Sequence, residues 1–150
     1  MRSLVWTTLL LSMLSGTAAS AEDCEAKAAE IAGQLGLDVG ARSSDNSIAL
    51  TARTDEDDAY GAFLLCKGPL GMTLRYLSPP FPGAKWFEFV GRTGMILTGL
   101  GSPFIALEAR NCVENARLRD GAFRSPGSAL RMVCIMSRND ERADVSLAPR

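Results

Sequence analysis

The sequence contains no histidine, and this absence limits its chemistry more than any other feature. Histidine is the commonest general base, proton shuttle and metal ligand near neutral pH. A Ser-His-Asp triad or a Cys-His pair is therefore excluded. A phosphate-binding loop, a dinucleotide-binding fingerprint and an N-glycosylation sequon are also missing. We expect no metal and no cofactor, and we favour a role without catalysis.

Apolar segments long enough to cross a bilayer are missing as well. Residues 4–14 form an apolar run of signal-peptide length, and Arg2 is the only charge before position 22. Residues 19–21 read Ala-Ser-Ala, which is an A-x-A cleavage site. The sequence thus predicts a signal peptide over residues 1–21 and export of the remainder. An uncleaved membrane anchor is the alternative.

Neither acidic nor basic residues are in large excess. Residues 22–150 carry 15 Lys plus Arg (the 16 of the sequence without Arg2) and 17 Asp plus Glu, a net charge of −2. This balance argues against binding to nucleic acid or to anionic lipid, because both need a basic surface. The charge is uneven, at −7 over residues 22–60 and +5 over residues 61–150. We favour two solvated faces of opposite charge as the explanation of this asymmetry. The alternative is a polar partner surface that could bind a second copy of the chain through opposite charges.

Cysteine is scarce, and Cys24, Cys66, Cys112 and Cys134 all lie in the segment predicted to be exported. Four cysteines in a small exported domain predict two disulfides, and three connectivities are possible. We prefer Cys24–Cys66 and Cys112–Cys134, because each bond would join the apolar stripe of a helix to the inward face of a strand. Disulfides also explain these cysteines better than a nucleophile or a set of zinc ligands, and their spacing excludes a CxxC redox motif.

Three segments have the apolar periodicity of helices. The first covers residues 24–37, with Gly36 as its expected C-terminal end. The second covers residues 86–100, where each glycine weakens the helix by about 1 kcal/mol relative to alanine. The third begins with Ser102 as N-cap and Pro103 at the first helical position, and it should end before position 120.

Alternating or continuous apolar residues predict strands over residues 47–53, 62–66, 72–76, 128–136 and 145–147. The first three are joined by short turns and form an antiparallel meander. The last is expected at the edge of the sheet, and residues 39–46 are expected to form a loop. The sequence therefore predicts that residues 22–150 form a single α+β domain: a small antiparallel sheet of four to five strands, three helices on one face, and two disulfides.

Two acidic features are candidates for chemistry. Residues 55–58 (Asp-Glu-Asp-Asp) could bind calcium, but Tyr60 stands where an EF-hand loop needs glycine, so a solvated hairpin turn is favoured. Glu88, flanked by two phenylalanines, could be a buried catalytic acid. A surface position for Glu88, paired with Arg92 one helical turn later, is favoured instead.

Aromatic residues are few, at 7%, and their densest group follows the proline-rich residues 78–83. Phe81 lies within that proline-rich segment, and Trp86 begins the second predicted helix. Core packing at helical spacing is the favoured role for this group. The functional alternative is a partner surface formed by Phe81 and Trp86.

Together these features favour a small exported protein, periplasmic or secreted, that acts without catalysis by binding another protein of the envelope or the extracellular space. An inhibitor, an immunity-type protein or an envelope accessory factor would fit. The competing hypotheses are a small-molecule or cell-wall binding module, a hydrolase that uses carboxylates alone, and a purely structural role. A pocket that holds Glu88 and a second acid would favour the hydrolase.

Overall fold

A computed structural model describes residues 21–52, 60–77, 81–119, 121–126, 129–137 and 142–150. Residues 1–20 of the predicted signal peptide, the acidic residues 55–58 and the proline-rich residues 78–80 lie outside this part of the chain. Within it, no helix is long and apolar enough to cross a membrane.

The described residues form three helices, α1 (Ala21–Leu35), α2 (Ala84–Thr98) and α3 (Ser102–Leu118). All three predicted helices are confirmed within a few residues of their expected ends. Gly36 ends α1 with a φ of 67°, and Gly99 ends α2 with a φ of 74°, a conformation that favours glycine. The predicted cap of α3 is wrong by one residue, because Gly101 holds the N-cap position and Ser102 is already helical.

The described strands form one antiparallel sheet with the order β1-β2-β3-β4-β7-β6-β5. Their bounds are β1 (Leu37–Arg42), β2 (Ser47–Ala52), β3 (Tyr60–Leu65), β4 (Gly71–Tyr76), β5 (Ala122–Arg124), β6 (Leu130–Met136) and β7 (Ala143–Pro149). The α+β class with two disulfides is confirmed. The expected four to five strands are wrong, because this part of the chain contains seven.

The two missed strands are the edges of the sheet. β1 falls in the predicted loop at residues 39–46, and four of its six residues are exposed. β5 has only three residues, none of them fully buried. An edge strand pairs on one side only, so it can form without the alternation of buried and exposed residues that marks an inner strand. The strand predicted at residues 145–147 was expected at an edge of the sheet. That position is wrong, because β7 runs from Ala143 to Pro149 and pairs with both β4 and β6.

The sheet consists of two meanders joined side by side. Strands β1 to β4 follow one another through short connections, and β5 to β7 do the same. The α2–α3 hairpin connects the two meanders, and β7 closes the sheet by pairing with β4. The helices form a single layer, with α1 against β1–β3, α2 against β4 and β7, and α3 against β5–β7. Three helices on one face of the sheet are therefore confirmed.

The core lies between the helices and the inward face of the sheet. Alternation along each strand turns every second side chain toward the helices. One row of register partners across five strands illustrates it, namely Ile48, Leu64, Met72, Leu147 and Met132. All five are buried. The strand register therefore places these side chains on the face of the sheet that packs against the apolar stripes of the helices.

Both disulfides join the helix layer to the sheet with the pairing preferred from the sequence. Cys24 of α1 bonds Cys66 just after β3, with Cα atoms 5.6 Å apart. Cys112 of α3 bonds Cys134 of β6, with Cα atoms 5.8 Å apart. Each meander therefore has one covalent link to its own helix. The loop-entropy relation gives roughly 3–4 kcal/mol of stabilisation for each bond.

The α2–α3 hairpin depends on two glycines that allow the helices to approach closely. A Cβ atom added at Gly91 would lie 2.5 Å from the carbonyl oxygen of Ser102. At Gly94 it would lie 2.9 Å from the side chain of Ile105. The glycines that weaken α2 on intrinsic propensity are thus the positions where α3 packs against it.

Candidate functional site: the uncovered face of the sheet

None of the described helices lies against the second face of the sheet, which we call the uncovered face. Its side chains are the strand residues that alternate with the core residues. One transverse row of register partners contains Ala49, Phe63, Thr73, Ser146 and Val133, on β2, β3, β4, β7 and β6. All five are half-buried although none of the described helices covers them. Thr73 and Ser146, which have short side chains, lie at the centre of this row. The larger apolar side chains of Phe63 and Val133 lie on either side of them.

The next row has an ionic group at its centre. Asp144 on β7 is the register partner of Arg75 on β4, and its residue is only 5% exposed. The Nε of Arg75 donates to Oδ1 of Asp144 at 2.8 Å, and the Nε of Arg142 donates to Oδ2 at 3.0 Å. Both carboxylate oxygens therefore accept from a guanidinium. The neighbouring carboxylate raises the pKa of Arg142 above its ordinary value, through a hydrogen bond and charge attraction.

The remaining polar groups near the centre are also paired with one another. The hydroxyls of Thr73 and Ser146 lie 2.9 Å apart across β4 and β7. The guanidinium of Arg75 also lies over the ring of Phe63, 5.2 Å from its centroid. A polar group that already has a protein partner loses less when water is removed from it. This part of the face could therefore be covered by another molecule at low desolvation cost.

Apolar side chains flank the ionic group on both sides. Ile135 on β6 is 49% exposed and Leu65 on β3 is 38% exposed. Ile135 is the register partner of Asp144, and Phe63 and Val133, both half-buried, lie in the neighbouring row. The described part of this face therefore combines small central residues, paired polar groups and partly exposed apolar side chains.

The predicted partner surface at Phe81 and Trp86 is not formed as a pair. Trp86 is 1% exposed and packs its ring 5.7 Å from Tyr76 and 5.0 Å from Phe87. It belongs to the core, the role that sequence periodicity favoured, and a partner could not contact it directly. Phe81 is half-buried, 6.0 Å from Phe87, and the guanidinium of Arg117 lies over its ring at 5.6 Å.

Glu88 is exposed on α2, as favoured. It lines a shallow groove of about 200 Å³ between α2 and α3, together with Leu107 and Arg110. No second carboxylate lines that groove. The salt bridges of the described residues do not include a Glu88–Arg92 pair, whereas Arg110 pairs with Glu114 at 3.1 Å.

The four cysteines serve as disulfides in this arrangement, and the described chain contains no free thiol. It also contains no group of three or more Asp, Glu or Cys side chains arranged to hold a metal ion. Residues 55–58, considered for calcium, lie outside the described residues.

The uncovered face was not predicted, because catalytic motifs and core periodicity give no information about it. Two strands nevertheless carry outward-facing apolar residues that could have indicated such a surface. Phe63 on β3 and Ile135 on β6 are large apolar residues at positions that alternate away from the core. The pairing of Arg75 with Asp144 gave no such signal, because the two residues are 69 positions apart.

The chain was compared with protein-family models, curated protein sequences and solved structures, and none of the three comparisons finds a match.

Proposed function

We propose that this protein is an exported, non-enzymatic binding protein, and that the uncovered sheet face docks a partner protein of the envelope or the extracellular space. The observation that carries the proposal is the composition of that face. Its central polar groups already pair with one another, while Phe63, Leu65, Val133 and Ile135 leave apolar surface beside them. We expect the partner to offer an apolar patch, because burial of apolar area drives such contacts.

The compartment is supported by the covalent structure. Two disulfides in a small domain are typical of proteins that fold in an oxidising space and are rare in cytosolic ones. A partner within reach of an exported protein is therefore another exported or surface protein. Inhibitors, immunity-type proteins and envelope accessory factors all act in this way.

Site-specific photo-crosslinking in the cells that make the protein tests the proposal. A photoreactive amino acid would replace Ile135 or Leu65 on the uncovered face, and in matched controls Leu107 or Leu118 on the helix layer. The controls are at least as exposed, at 57% and 83%. We expect one discrete adduct with another exported protein from the sheet positions and none from the helix positions.

A second variant separates docking from chance collision. Ile135→Asp places a charge in the apolar flank and should abolish the adduct formed from Leu65, whereas Leu118→Asp should leave it unchanged. Equal adducts from both faces, or none from the sheet face, would contradict the proposal. An adduct of twice the mass of the chain would assign the face to self-association and would contradict a separate partner.

The hydrolase hypothesis loses its structural support, because the groove at Glu88 has no second acid among its lining residues. A separate observation favours a small-molecule site, and it concerns the β5 edge of the sheet.

A further inference from the structure

Three arginines meet around a cavity at the β5 edge of the uncovered face. The cavity has a volume of about 480 Å³ and is lined by Arg124, Ser125, Arg131, Met132, Val133 and Arg150. This volume falls in the range of sites for small ligands, about 300–1,000 Å³. No carboxylate side chain is among these lining residues.

Strand register explains why the arginines converge. Arg124 on β5 is the partner of Val133 on β6, and Arg131 lies two residues before Val133 on the same face. Ala148 on β7 is the partner of Arg131, and Arg150 lies two residues beyond Ala148. The three guanidinium-bearing residues thus occupy successive diagonal positions across three strands, where long side chains reach one another.

No side-chain carboxylate of the described chain forms an ion pair with these three arginines. Arg131 donates from Nη2 to the carbonyl oxygen of Pro149 at 3.2 Å, which is a neutral acceptor. Neither Arg124 nor Arg150 forms an ion pair with any described residue. The nearest carboxylate in the hydrogen-bond network is that of Glu108, which accepts from the hydroxyl of Ser125 at 3.1 Å and does not line the cavity. Arginine stays charged at every physiological pH, so three positively charged side chains line the cavity.

Arg75 and Arg142, near the centre of the uncovered face, have a different arrangement. Arg75 and Arg142 both bind Asp144. Like charges placed side by side repel, and a bound anion would remove that repulsion while it accepts hydrogen bonds from the guanidinium groups. A single carboxylate offers two oxygens and one charge. A phosphate monoester offers three terminal oxygens and close to two charges, so it can accept from three guanidinium groups at once.

We infer that this cavity is a binding site for a small phosphorylated molecule, with Arg124, Arg131 and Arg150 as the ligands of its phosphate group. Val133 and the backbone around Met132 provide the wall against which the organic part would lie. The inference does not depend on the docking of a partner protein, since the site is one corner of the sheet and is formed by different side chains.

Calorimetric titration of the purified, oxidised protein tests this site. The probes are glycerol phosphate, inorganic phosphate and citrate, each measured against sodium chloride at the same ionic strength. We expect the two phosphates to bind and chloride to have no effect. Arg124→Gln or Arg131→Gln should weaken phosphate binding by about tenfold or more, because each removes a charge-assisted contact.

The matched control is Arg92→Gln, which makes the same change in net charge at an exposed position on α2. It should bind phosphate as the parent protein does. Equal loss in all three variants would show that the effect is one of net charge, and it would overturn the inference. So would an absence of binding, or tighter binding of citrate than of either phosphate. Thermal unfolding of each variant without ligand shows that it is folded.

Discussion

Arg75 and Asp144 form an ion pair across the seam where the two meanders of the sheet meet. They are register partners on β4 and β7, and the Nε of Arg75 lies 2.8 Å from Oδ1 of Asp144. The side chain of Asp144 is 7% exposed, whereas that of Arg75 is 32% exposed. A nearly buried carboxylate therefore connects strands that are far apart in the sequence.

Asp144→Asn should lower the free energy of unfolding by about 1–2 kcal/mol. The substitution keeps the shape of the side chain but removes the charge that two guanidinium groups share. The expected loss is moderate because both arginines are partly exposed and can be rehydrated. Urea denaturation measures it, with fluorescence of Trp86 as the probe, since Trp86 is the only tryptophan after position 21.

The control for Asp144 is Glu114→Gln on α3. Glu114 forms an exposed ion pair with Arg110 at 3.1 Å, and such a pair contributes little to stability. The control should change the free energy of unfolding by no more than about 0.5 kcal/mol. Equal effects of the two substitutions would mean that Asp144 does not join the meanders in the way we describe.

Gly91→Ala should destabilise the protein by about 1–3 kcal/mol, because the new methyl group would meet the backbone oxygen of Ser102 and push α3 away from α2. Gly33→Ala is the matched control. Gly33 lies in α1, and a Cβ there would have no atom within 4 Å. The control should be stabilised by up to about 1 kcal/mol through helix propensity. Thermal and urea unfolding of both variants check the prediction, and a Gly91→Ala protein as stable as its parent would refute it.

The two disulfides should differ in their rate of reduction. Cys66 is half-buried, whereas Cys112 and Cys134 are 1% and 0% exposed. A small thiol should therefore reach the Cys24–Cys66 bond first in the folded protein. Alkylation at timed intervals, followed by peptide mapping, measures the order. In urea the difference should disappear, because unfolding exposes all four sulfurs, and a difference that persists there would show that burial is not its cause.

Asp45 should titrate below the ordinary range of an aspartate. Its carboxylate accepts from the hydroxyls of Ser43 and Ser47 and from the backbone N–H of Ser47, and these hydrogen bonds lower the pKa of Asp45. A lowered folded-state pKa means that the folded protein binds this proton less readily than the unfolded chain. The contribution of Asp45 to stability is therefore present above the unfolded pKa, and it is lost as the pH falls through the folded one.

NMR titration of the Asp45 carboxyl carbon checks this prediction. Ser47→Ala removes one of the hydroxyl donors and should raise the pKa of Asp45 toward its ordinary value. Ser44→Ala, at an exposed position in the same turn, should not. An Asp45 that titrates at or above the ordinary value in the parent protein would contradict the hydrogen-bonded turn.

Helices and inner strands could be predicted from the sequence because their patterns are local. The stripe that begins at Cys24 repeats at helical spacing, and Cys134 alternates with outward-facing residues on its strand. The preference for the two cysteine pairings rested on periodicities of these two kinds, and the structure contains both bonds. The edge strands β1 and β5 could not be predicted in the same way, because mostly exposed strands carry no such pattern.

The candidate sites show the same division. Burial of Trp86 agreed with its helical spacing, and Phe81 lies half-buried against Phe87. The uncovered face was not predicted, since it combines strands from distant parts of the chain, and the arginine cavity was not predicted, since it depends on the register of three strands. Arg124, Arg131 and Arg150 are unremarkable in the sequence, and only the register of β5, β6 and β7 places them together.

Local patterns were enough to predict which segments are helical, which of their faces are apolar, and which of the three possible cysteine pairings to prefer. These properties depend on residues within one or two turns or on side-chain alternation along one strand. The tertiary structure alone decided the order of the strands, the pairing of β4 with β7, and the composition of the face left without helices. Those properties depend on hydrogen bonds between distant segments, and no local pattern of residues specifies the partner in such a pair.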